Sequence, residues 1–196
     1  MKAVPGHPAP DAGARPEGPG AAPMVPGLAR ALGEELVRRA DKERSLMRQA
    51  RDRPAGPWRD ALVACRAGNA EALGTIVRRH GWPSTDRVGA PASTAALMIL
   101  LHAPDPGLQL HCRDLIAQAA ADGRCPALHH AYIADHCAVE QGLPQFYGTR
   151  VHPGTLRPYP VRRPGTVDER RRDVGLGPLD EQLRRLREGA WGVRET

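Results

Sequence analysis

The sequence predicts an all-α fold, a single multi-helix domain with a short irregular hairpin or turn segment near residues 145–161. Three observations carry that prediction. The core must be built from Leu, Ala, Val and Ile, because only seven residues of 196 are aromatic. Leu and Ala lose little rotamer freedom in helices, so such cores favour them. Apolar residues recur at i, i+3 and i+4 through most of the middle of the chain, the spacing of one helix face. Gly or Pro then closes nearly every such segment. The alternative is a small α+β fold in which residues 145–161 form a true sheet.

Residues 1–27 are Pro-, Gly- and Ala-rich without apolar periodicity. Such a segment cannot offset its ordering entropy and is expected to be a disordered tail. Residues 28–190 are expected to form the helical domain, with 191–196 a flexible C-terminus. Leu28 to Arg51 forms the first helix, and Asp41 and Arg44 can pair on its face at i,i+3. Arg53-Pro54-Ala55-Gly56-Pro57 ends it. Trp58 to Arg66 reads as a short helix closed by Gly68, and Asn69 as the N-cap of a second, Ala70 to His80. Gly81 and Trp82-Pro83 turn the chain away. Ser84 to Gly89 reads as a loop.

Ala92 to His102 is apolar nearly all round and should be the central buried helix. Asp105 with Pro106 at the first helical position opens a helix that runs to Ala121. Pro126 to Gln141 is the next helix, stopped by Gly142. Pro153, Pro158 and Pro160 argue against a long ladder in the irregular segment that follows. Thr166 with Glu169 reads as a capping box for Asp168 to Val174. Leu179 to Glu188 is a final amphipathic helix, with Leu179, Leu183 and Leu186 on one side.

The totals narrow the function. The net charge of +6 is modest, and the arginines alternate with Asp and Glu. Solvated helix faces explain that pattern, and no stacking aromatics accompany the basic residues, so nucleic acid is not an expected partner. No run is long and apolar enough to span a membrane, and the N-terminus lacks a signal-peptide core. Four cysteines without a CxxC motif imply reduced thiols and a cytoplasmic location. Cys125, His129, His130, His136 and Cys137 do not repeat at metal-ligand spacing, so no metal is expected. No glycine-rich phosphate loop, nucleophile elbow or dinucleotide fingerprint occurs, and no cofactor is expected.

The residues able to carry chemistry cluster in two stretches. His102 ends the most apolar helix. It reads either as a general acid/base at a pocket rim or as a C-cap that satisfies free carbonyls. Asp135 sits on a mostly apolar helix and needs a partner, either His102, an arginine, or an ordinary structural ion pair. His136, its neighbour, points elsewhere on the helix. Gln145, Tyr147 and Thr149 alternate through a turn. They read either as a grip on a polar small molecule or as a turn that satisfies itself and locks two elements together.

Several short motifs occur together: Asp41…Arg44, His80-Gly81-Trp82-Pro83, Val88-Gly89, His102-Ala103 with Gln109, the Asp135 helix, Gln145-x-Tyr147-Gly148-Thr149, and Val167-Asp168-x-Arg170-Arg171…Val174-Gly175-Leu176. In this order and spacing, from about Leu32 to Leu186, the chain resembles a bacterial family of unknown function found in actinobacteria and Bacteroidetes. The resemblance implies a mostly helical domain and supplies no activity. Three positions depart from the family pattern: Leu101 for a Gln, His136 for an Arg, and Arg150 for a Gln.

The chain is therefore expected to be either a small-molecule enzyme or ligand-binding protein, or a protein-interaction module whose polar motifs only fasten helices together. In the first case His102, Asp135 and Tyr147 are the catalytic candidates. Gln145, Thr149, Arg150, His136, Asp41, Arg44 and Arg171 would contact the substrate.

Overall fold

Leu and Ala periodicity becomes helix almost wherever the spacing demands it. The computed structural model describes residues 25–53 and 56–192, with side chains as far as residue 188. The expected N-terminal tail falls largely outside these residues, as do the last four of the C-terminus. Eight α-helices stand among the described residues: α1 (Pro26–Asp52), α2 (Trp58–His80), α3 (Thr85–Val88), α4 (Ala90–Leu101), α5 (Pro106–Ala121), α6 (Ala127–Glu140), α7 (Val167–Asp173) and α8 (Leu179–Gly192). The fold is all-α. None of these helices is long and apolar enough to cross a membrane.

Helix α4 is the hub. It packs against α1, α2, α3, α5 and α6, as its low polarity requires. Leu97, Ile99 and Leu100 meet Leu36 of α1, Leu73 and Val77 of α2, Cys112 and Ile116 of α5, and Ile133 of α6 in one core. Burying each such side chain contributes roughly 1.5–3 kcal/mol. One face of α4 stays open, where Met98 is exposed. Helix α1 crosses α3 and α4 closely at Gly33. A Cβ there would lie 3.1 Å from the Val88 carbonyl.

Three local expectations are corrected. Helix α2 runs unbroken through Gly68 and Asn69. A mid-helix Gly costs about 1 kcal/mol, but Asn69 does not cap. It is buried, and its side chain donates to Glu43 of α1 at 2.9 Å and accepts from Arg39 at 3.3 Å. Tertiary bonds thus override the local N-cap signal. The segment expected to be a loop, 84–89, contains the one-turn helix α3. The capping box at Thr166 does not form. A 3-10 turn at Pro164–Thr166 precedes α7, and its Pro164 carbonyl already accepts from the Val167 N–H. The Thr166 hydroxyl donates to the Arg163 carbonyl instead.

Asp105 does cap α5, accepting from the Leu108 N–H at 3.0 Å. Between α6 and α7 the chain makes two isolated bridges, Gln145 with Val161 and Val151 with Pro158, and no strand. The prolines account for that, because each removes a ladder donor.

Candidate functional site

The structure separates the candidate residues into two groups, each centred on a buried carboxylate. The first lies where α6 meets the turn at 145–149. Asp135 is fully buried. It accepts from the backbone N–H groups of Phe146 at 2.7 Å, Tyr147 at 3.0 Å and Thr149 at 2.9 Å, and from the Thr149 hydroxyl at 3.0 Å. Successive N–H groups converging on one anion form a nest. The nest requires Gly148, whose φ is +71° and whose absent side chain makes room for Leu179 of α8. A Cβ at Gly148 would lie 3.0 Å from the Leu179 Cδ1.

Around the nest most of the side-chain hydrogen bonds run to backbone. Gln145, fully buried, donates to the carbonyls of Arg150 and Tyr159 and accepts from the Arg150 N–H, each at 2.9 Å. Arg171, also buried, donates to the Gly177 and Tyr147 carbonyls and to Gln182, each at 2.6 Å. Burial pulls its guanidinium below the ordinary arginine value. Arg170 donates to the Phe146 carbonyl at 2.9 Å. Tyr147 is half-buried, and burial, with Asp135 nearby, pushes its phenol up. This group fastens α6, α7 and α8 together. Asp135 pairs with neither His102 nor an arginine.

His136 and Arg150 flank the nest. His136 is buried with its Nδ1 unpartnered. Burial, followed by the Arg150 charge, lowers its pKa. Arg150 reaches Glu140 at 3.3 Å, and its Nε is buried without a partner.

The second group lies between α1, α2 and α4. Glu43 is only 3% exposed. It accepts from Arg66 Nε at 3.0 Å, Asn69 Nδ2 at 2.9 Å and His102 Nδ1 at 2.7 Å. Burial pushes its carboxyl up, but the three hydrogen bonds outweigh burial and hold it below the ordinary carboxylate value. The imidazole of His102 thus donates through Nδ1 to an ionised carboxylate, which fixes the tautomer and leaves Nε2 with the lone pair. Part of the capping role weighed for His102 falls to Gln109, which donates to the Leu100 and Ala103 carbonyls at 3.1 and 2.9 Å.

The His102 side chain is 26% exposed. It lines a cleft of about 160 Å³ with Ala40, Arg44, Met47, Met98 and Ile99. Arg44 sits on the rim and pairs with Asp41 at 2.8 Å, both exposed. A larger groove of about 730 Å³ opens elsewhere on α1, beside Gly33, Val37, Val88 and Pro91. Its carboxylate, Glu34, is held by Arg30 in the open. We place the candidate site at the smaller cleft, because that one holds an oriented acid/base group.

Of the residues singled out from the sequence, His102 and Arg44 line this cleft and Asp41 pairs with Arg44; Glu43, the carboxylate that accepts from His102, was not among them. The signal was present. Leu36, Ala40, Glu43 and Met47 form one stripe at i, i+4, i+7 and i+11, so Glu43 is a carboxylate on the buried face. Among the described residues no three His, Cys, Asp or Glu side chains group to hold a metal ion.

No curated protein and no solved structure matches the chain. A family model does match, over residues 33–195, which include both carboxylate groups. The chain belongs to the family of unknown function DUF6624.

Proposed function

We propose that this chain is a cytoplasmic small-molecule enzyme whose acid/base group is His102, oriented by the buried carboxylate of Glu43. The observation that supports this best is the 2.7 Å bond from His102 Nδ1 to a nearly inaccessible, ionised Glu43, with the imidazole on the wall of a cleft. Carboxylate–imidazole pairs of this kind hold the ring in place and stabilise the imidazolium formed when Nε2 takes a proton. The base removes a proton from a substrate X–H, X keeps the electron pair, and the imidazolium returns the proton in a later step. Ile99 and Ala40, both buried, make one side of the cleft apolar. The Asp135 turn has a different task in this reading, since the side chains of Asp135, Gln145 and Arg171 are all bonded within the chain.

A thermal-shift screen of small polar metabolites tests the assignment. Stabilisation by a compound should vanish in His102→Gln and Glu43→Gln and persist in Tyr147→Phe. Loss in Tyr147→Phe with retention in His102→Gln would move the site to the turn. A protein-interaction role would instead leave the His102 variants able to capture their partner unchanged.

A further inference from the structure

The cleft also says what kind of molecule it suits, if the assignment of His102 is accepted. Three features converge. Its volume of about 160 Å³ is well below the roughly 300–1,000 Å³ of pockets for drug-sized ligands, so the ligand is small. Its walls are Ala40, Met47, Met98 and Ile99. The two methionines are notably exposed for their type, at 38% and 41%. Unbranched thioethers adapt their shape to an apolar guest. The third feature is charge. Among the described residues Glu43 is the one carboxylate lining the cleft, and it is buried beneath three donors. The charge a ligand meets is therefore the Arg44 guanidinium. One nitrogen of that group is held by Asp41, which leaves the rest of the fork to receive an anion.

From this we infer that the cleft binds a small organic carboxylate with a short aliphatic body. Its carboxylate pairs with Arg44, its chain lies between Met47 and Met98, and its reactive end faces His102. An uncharged analogue of the same shape loses the Arg44 contact and keeps only the apolar ones. A cationic analogue meets like charge.

The test uses the full chain labelled with ¹³C at the methionine methyls, so that Met47 and Met98 report directly on the cleft. The probes are 2-hydroxybutyrate, 2-oxobutyrate and butyrate, against butyramide and butylamine. The acids should shift both methyls saturably and bind at least ten-fold more tightly than the amide. Arg44→Gln, a change on the exposed surface, should bring the acids down to the amide's affinity and leave the amide unaffected. Asp41→Asn, which removes the competing carboxylate, should tighten the acids about two-fold. Equal binding of acid and amide, or an Arg44→Gln variant that keeps the preference, overturns the carboxylate inference. In either case His102→Gln sensitivity of the amide would leave the acid/base assignment standing. Absence of any Met47 or Met98 shift at millimolar acid overturns the inference as well.

Discussion

Asp135 and Glu43 are both carboxylates sealed from water, yet one closes a structure and the other opens onto a cleft. Asp135 takes its four donors from a single five-residue turn, three of them backbone N–H groups. None of those donors has a second use, so the arrangement is complete within the chain. Glu43 takes its donors from three side chains, two on α2 and one at the end of α4. One of them, His102, keeps a second nitrogen for the outside. A buried charge is costly in both places. The difference lies in the donor. Backbone donors convert the charge into rigidity, and in the proposed reading a titratable side-chain donor turns it to acid/base chemistry.

The comparison can be broken most sharply at Asp135. Asp135→Asn puts an amide where three N–H groups converge, and should cost about 3–5 kcal/mol in urea unfolding. A loss under about 1 kcal/mol would mean that the turn does not depend on the charge. Next comes Gly148→Ala. The positive φ and the 3.0 Å approach to Leu179 should cost about 2–3 kcal/mol by the same measurement. Glu43→Gln should be milder for stability, about 2 kcal/mol, because a neutral acceptor remains. Its larger effect should appear in long-range ¹H–¹⁵N NMR of His102. The wild type should show the Nδ1–H tautomer, and the variant a mixture. An unchanged tautomer would remove Glu43 from the mechanism.

Acid pH separates the two regions again. Burial lowers the pKa of both His129 and His136 below the ordinary 6.5, so these rings stay neutral in the folded chain and protonate on unfolding. The unfolded state then binds more protons, and stability should fall as pH drops below about 6.5. His136→Gln should flatten that slope. The contribution of Glu43, whose folded pKa is depressed, is present above 4.5 and lost only as pH falls below that value. The smallest effect is expected from Asp41→Asn, which breaks an exposed ion pair and should cost less than about 0.5 kcal/mol.

Most of the helices were legible, because their apolar spacing and their Gly and Pro boundaries are local signals. The failures were tertiary. Asn69 looked like an N-cap because its partner Glu43 lies 26 residues away, and nothing near Asn69 announces it. The Thr166 box failed because the Thr166 N–H and hydroxyl both already donate to the Arg163 carbonyl. The turn at 145–149 was visible as unusual, but whether it gripped a ligand or itself depended on Asp135 and Arg171, which only folding brings to it. Glu43 could have been found from its place on the apolar stripe of α1. The pull of the neighbouring Asp41–Arg44 pair, both exposed, hid it.

The lip of the cleft has a consequence for how this chain can change. Met47, Met98 and Arg44 stand at the surface, so their replacement disturbs the core little. The Glu43–His102 pair beneath them is bound into α1, α2 and α4 and tolerates far less. In the proposed reading, mutation can therefore alter the molecule that is recognised without dismantling the group that would act on it. Changes at those three positions alone would then redirect the proposed site while the pair beneath stays intact.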